Sequence, residues 1–114
     1  MGTLREVNLK FDMPCAAEAG KRLESALRRS GGMGCTALKF IHGYGSTGRG
    51  GRIRNETRLR LENEKRLGRV RMVIPGERFS IFDEETRRAF LHCPELRRDC
   101  DLERSNNGIT IVIL

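Results

Sequence analysis

Tryptophan is absent from this chain, tyrosine occurs once and aromatic residues make up only 5% of it. An extended platform of stacked rings is therefore excluded, and Tyr44 is the one tyrosine that can stack on a base. No segment approaches the ~18 apolar residues that a membrane span requires, so no membrane association is expected. The four cysteines (Cys15, Cys35, Cys93 and Cys100) include no Cys-x-x-Cys pair. His92, Cys93 and Cys100 match no closed tetrahedral zinc spacing, and no metal site or cofactor is expected. The first residues lack the apolar stretch of a secretory signal, so the thiols are expected reduced and the location cytoplasmic.

The chain's 114 residues amount to one domain, residues 1–114, large enough to fold without a disulfide or metal. Its net charge is +7, from 22 Lys and Arg against 15 Asp and Glu. The excess is local: between Arg49 and Arg71 nine basic residues face three acidic ones, and the remainder is close to neutral. All but Lys65 of those cations are arginines, whose planar forks suit phosphate. A basic balance concentrated in one segment is the footprint of a polyanionic partner.

Period-two alternation of Val7, Leu9 and Phe11 with Asn8, Lys10 and Asp12 predicts a half-buried strand, broken by Met13-Pro14. Ala16, Ala19, Gly20, Leu23, Ala26 and Leu27 predict an amphipathic helix that stops at Ser30-Gly31-Gly32. Thr36–Ile41 reads as an inner strand, residues 43–51 as a loop with five glycines, and Arg52–Leu67 as a helix with Ile53, Thr57 and Leu61 on one face. Val70–Ile74 is a third strand. Phe79–Cys93 is a shorter helix, capped through Ser80 and Asp83 or through Asp83 and Thr86. Residues 95–107 read as a polar surface connection and Ile109–Leu114 as a closing strand. The order β-α-β-α-β-(α)-β implies an α/β two-layer sandwich with a mixed, partly parallel four-stranded sheet.

Ligands of open α/β sheets collect at the carboxyl ends of strands, which brings Asp12 and His42 to one rim beneath the glycine loop. Glycines let a backbone approach a ligand, and the amides of the loop and the following helix start suit an anion. Arg49, Arg52 and Arg54 add charge beside it. Gly43 to Gly50 is close to a phosphate-binding P-loop, but Arg49 stands where that motif has Lys and Gly50 where it has Ser or Thr. In a cleaving enzyme, His42 would be the general acid or base and Asp12 its orienting partner.

These residues resemble the Smr (small MutS-related) domain. Leu9-Lys10-Phe11-Asp12 takes the place of its Leu-Asp-x-His-Gly strand, with Glu18-Ala19 following at the expected offset. Phe40-Ile41-His42-Gly43-Tyr44-Gly45 resembles the strand ending in His-Gly-x-Gly, Gly51-Arg52-Ile53-Arg54 the Gly-rich turn and Leu-Arg, and Asn107–Val112 the closing strand. Residues 77–106 read as an insertion with its own helix. The resemblance implies a fold similar to the C-terminal domain of translation initiation factor three, and DNA or RNA binding by Lys10, Gly43, Tyr44, Gly45, Arg49, Arg52 and Arg54. It also implies, as an alternative, an endonuclease that nicks DNA or cleaves RNA, magnesium entering only in that case. Lys10 and Asp12 occupy the family's early Asp and His positions, a departure that bears on cleavage and not on binding. A further alternative is a protein-interaction module, with an acidic partner, the ribosome or a repair complex.

Overall fold

The computed structural model of the chain describes residues 3–12, 14–32, 34–43 and 50–114. Strands β1 (Leu4–Asn8), β2 (Ala37–Ile41), β3 (Met72–Pro75) and β4 (Ile109–Ile113) alternate with helices α1 (Ala16–Gly32), α2 (Gly50–Arg66) and α3 (Glu84–His92). Short 3₁₀ turns span Gly76–Arg78 and Pro94–Arg98. The strands form one mixed sheet in the order β1-β2-β4-β3. β1 runs parallel to β2, while β4 is antiparallel to both β2 and β3.

The first strand lies earlier than its alternation predicts, at Leu4–Asn8 rather than around Val7–Asp12. Asn8 Oδ1 accepts from Lys10 N at 3.0 Å, a local side-chain bond that turns the chain out of the sheet. Arg22 Nη1 then holds the turn by donating to Phe11 O at 2.6 Å. Asp12 has a φ of 63° and Phe11 is 70% exposed, so neither continues the strand. Of the three residues expected to face inward, Val7, Leu9 and Phe11, Leu9 alone is fully buried.

The expected two-layer arrangement is corrected to a sheet covered on both faces. Leu38, Phe40, Val73 and Val112 pack with Leu23 of α1 and Ile53 and Leu61 of α2. Ala37, Ile74, Ile109, Ile111 and Ile113 pack against Phe79, Ala89, Phe90 and Leu96. All five residues of β4 are buried, which only coverage of both faces allows. The second layer comes from residues 77–106. There α3 starts at Asp83, whose carboxylate accepts from Thr86 N at 2.9 Å, the second of the two expected caps. The chain enters this layer at Gly76, where an added Cβ would stand 1.9 Å from Asn106 O. Only glycine fits there without moving backbone.

Residues 95–107 are likewise more than a surface connection. Leu96 is fully buried, and Asp99 and Asp101 reach under the sheet to Lys39, which is only 1% exposed. Lys39 Nζ lies 2.9 Å from Asp99 Oδ1, 2.5 Å from Asp101 Oδ2 and 3.8 Å from Glu6 Oε2. Burial alone would drive this ammonium toward its neutral form. Hydrogen bonds to Asp101 and Asp99, and their charges, outweigh that and hold its pKa above the ordinary value. Burial would likewise raise Asp101, and the bond from Lys39 outweighs it and lowers its pKa.

Removing both carboxylates strands a buried ammonium. Asp99→Asn with Asp101→Asn is expected to lower unfolding free energy by about 3–5 kcal/mol, and adding Lys39→Met is expected to restore much of that loss. Urea denaturation of the double and triple variants checks both steps. The stabilisation from Asp101 is complete above its ordinary unfolded value, and is lost as pH falls through its lower folded value.

Candidate nucleic-acid interface

β2 ends at Ile41, and the next two amides, His42 N and Gly43 N, both donate to Gly108 O at 3.0 Å. This pins the chain to the start of β4. The His42 side chain is fully buried. Its Nδ1 is 2.8 Å from Gly43 O and its Nε2 is 2.8 Å from Thr110 Oγ1. A carbonyl oxygen can only accept, so Nδ1 carries the proton and Nε2 accepts from the Thr110 hydroxyl. Thr110 Oγ1 in turn accepts from Arg58 Nε at 3.3 Å.

Arg58 makes the widest set of contacts in this region. Its Nη1 and Nη2 grip both oxygens of Glu77 at 2.9 and 2.7 Å. Nη2 also lies 3.3 Å from Asn107 O and 3.4 Å from Ile109 O. Glu77 comes from the turn after β3, Arg58 from α2, Thr110 from β4 and His42 from the end of β2. One directed chain of donors thus joins four elements: Arg58 donates to Glu77 and Thr110, Thr110 to His42, and His42 to Gly43 O. Burial would raise the Glu77 carboxyl, but the Arg58 bond outweighs it and lowers its pKa.

Burial lowers the His42 pKa to about 4, aided by the charges of Arg58 and Arg54 and opposed by the bond to Gly43 O. The imidazole is neutral at pH 7, with both nitrogens engaged. The expected orienting contact of Asp12 on His42 is not seen: Asp12 is exposed, and both ring nitrogens of His42 are bonded to Gly43 O and Thr110. His42 has the geometry of an anchor that fixes the start of the glycine loop. Gly43 itself has a φ of 75°, a conformation that favours glycine at this exit from the strand.

The common rim of the two loops is realised through a different residue. The Lys10 stem crosses Gly43, so that a Cβ added there would lie 3.4 Å from Lys10 Cδ. Lys10 and Arg52 are exposed and Arg54 is half-buried. None of the three has a carboxylate within ion-pair distance among the described residues. The cations further along α2 and just beyond it are different. Arg58 pairs with Glu77, Arg60 with Glu24, Lys65 with Glu85 and Arg69 with Glu64. Arg66 instead donates to the Asn63 side chain, and neither it nor Arg71 has a carboxylate partner among the described residues, so the body of the segment is largely but not wholly paired, while its front turn holds no acidic residue. Tyr44, Gly45 and Arg49 lie outside the described residues.

No family model matches the chain, and no match is found among characterised proteins or solved structures. The assignment of Arg58, Thr110 and Glu77 was not reached from the sequence. The available signal was small: Thr110 is the one polar residue within Ile109–Ile113.

The His42 environment sets a pH dependence with a definite sign. Above about pH 6.5 the imidazole is neutral in both folded and unfolded chains, and stability is complete. As pH falls toward about 4, the unfolded chain takes up a proton that the folded chain refuses. Unfolding free energy is expected to drop over that window by up to about 3 kcal/mol. His42→Gln should remove this component. Urea midpoints measured at intervals from pH 7 to 4 on both proteins check it, and parallel curves would assign the drop to other groups.

Proposed function

We propose that this protein binds nucleic acid through phosphate contacts at the rim formed by Lys10, Gly43, Arg52 and Arg54, in the manner of an Smr domain. The observation that carries the reading is the contrast in pairing. Of the six cations from Arg58 to Arg71, four (Arg58, Arg60, Lys65 and Arg69) have carboxylate partners, whereas Lys10, Arg52 and Arg54 have none among the described residues. Unpaired cations beside a glycine-rich turn and a helix start are what a phosphate backbone requires. In sequence, Tyr44, Gly45 and Arg49 fall between Gly43 and Arg52 and add one ring that can stack and one more fork for phosphate. The ordered Smr-like motifs support the same reading from outside the electrostatics.

Binding without cleavage is the form of the proposal. A general base must reach the proton it takes, and the His42 nitrogens are occupied by Gly43 O and Thr110. No structural feature favours base-specific readout, so both DNA and RNA are expected ligands.

Changing Lys10, Arg52 and Arg54 together to Ala is expected to weaken binding to unrelated oligonucleotides alike. If each contacts one phosphate, the slope of log affinity against log salt should shrink by about 2 on a single strand. Fluorescence anisotropy titrations at several salt concentrations measure this, with melting temperature as the control for folding. A wild-type affinity indifferent to salt, or a triple variant that binds like wild type, contradicts the proposal.

A further inference from the structure

β1 is the outer strand on its side of the sheet. Leu9 N donates to Ile41 O and Ala37 N donates to Thr3 O, so the odd-numbered residues of β1 turn their main chain toward β2. The main-chain groups of Glu6 and Asn8 consequently face outward. Between this edge and α1 runs a groove of about 470 Å³. Arg5, Lys21, Arg22, Ser25, Asn8 and Arg29 line it. Glu6 is the one carboxylate among the lining residues, and its Oε2 lies 3.8 Å from Lys39 Nζ, on the α3 face of the sheet. Lys21 and Arg29 are exposed and take part in no ion pair among the described residues. They stand two turns apart on α1, about 12 Å along its axis.

We infer that this groove is the track of a single nucleic-acid strand, continuous with the rim at Lys10 and Gly43. The inference rests on the nucleic-acid reading above and gives it a strand type and a path. Continuity comes from Arg22, which donates to Phe11 O and Leu9 O and so joins the groove to the turn carrying Lys10. Scale and chemistry select a single strand. A concavity of this volume lies in the range, roughly 300–1,000 Å³, that encloses one small-molecule-sized ligand, not a duplex. Outward main-chain groups at its floor can hydrogen-bond base edges, which only an unpaired strand presents. An acidic peptide adding to the edge as a further strand fits less well. The edge is only five residues long, Leu4 N is already held by Glu95 Oε2 at 3.4 Å, and the Asn8 turn ends the ladder.

The test compares wild type, Lys21→Glu with Arg29→Glu, and the Lys10, Arg52, Arg54 alanine triple. Probes are a short mixed-sequence single strand as RNA and as DNA, a duplex of the same length, and an oligoglutamate peptide. Both groove residues are exposed, so their reversal is expected to leave the melting temperature unchanged. Single-strand affinity should fall about tenfold or more, and the salt slope should shrink by about 1.4 for two lost phosphate contacts. Duplex binding should change less. If the rim triple weakens binding and the groove pair does not, the track is wrong and the rim stands. Equal losses on duplex and single strand, or oligoglutamate binding as tight as the oligonucleotides, also overturn the track. A wild-type protein that binds none of the nucleic acids overturns both the track and the function on which it rests.

Discussion

The hydrogen bonds radiating from Arg58 hold together the part of the molecule on which its chemistry depends. A guanidinium has five donors and no acceptor, so even a half-buried one such as Arg58 needs several converging acceptors. Here they converge: both Glu77 oxygens, the Thr110 hydroxyl and the carbonyls of Asn107 and Ile109. Glu77 comes from the turn after β3, and Asn107, Ile109 and Thr110 from the approach to β4 and its start. α2 is thereby fixed to β4 and to the turn after β3 by directional bonds as well as by apolar packing. The Thr110 hydroxyl passes this constraint to His42, and His42 to Gly43. The backbone behind Gly43 and the body of α2 are thus tied to the start of β4.

A second polar connection lies on the opposite face of the sheet. In register, Lys39 of β2 is opposite Ile111 and Phe40 is opposite Thr110. Lys39 and Thr110 are thus near neighbours in an otherwise apolar sheet centre, and alternation sends them to opposite faces. Each would carry a desolvation penalty if left alone. Lys39 is answered by Asp99 and Asp101, and Thr110 by His42 and Arg58. The two sets do different things. The acidic pair fastens the 99–101 segment, and with it the second helical layer, to the sheet. The neutral imidazole fastens the loop and leaves the rim's positive charge uncompensated.

Much of this fold was legible in the sequence because it rests on local periodicity. The buried faces of α1 and α2, including Ile53, Thr57 and Leu61, follow from helical spacing, and the mixed sheet follows from the order of elements. What was not legible depends on partners distant in sequence. The alternation around Val7–Asp12 was real, but the Asn8 side chain ended the strand within it. The run Ile109–Ile113 was legible as a closing strand but not its burial on both faces, because residues 77–106, which supply the second layer, read as an insertion. The polarity of Asp99 and Asp101 suggested solvent, because nothing nearby in sequence indicates that a lysine lies beneath them. The approach of the chain after β1 to the end of β2 was legible, and is made by Lys10 against Gly43. The roles of the residues there were not: His42 anchors, and Asp12 stands apart.

The proposed binding rim rests on cations at Lys10, Arg52 and Arg54 that have no carboxylate partner among the described residues. Photocrosslinking of a labelled oligonucleotide to the intact protein, followed by mass-spectrometric mapping of the attached peptides, tests it most directly. The account predicts crosslinks on the peptides carrying Lys10 and residues 43–54, lost in high salt. Crosslinks confined to the α3 face, or unchanged by salt, would contradict it.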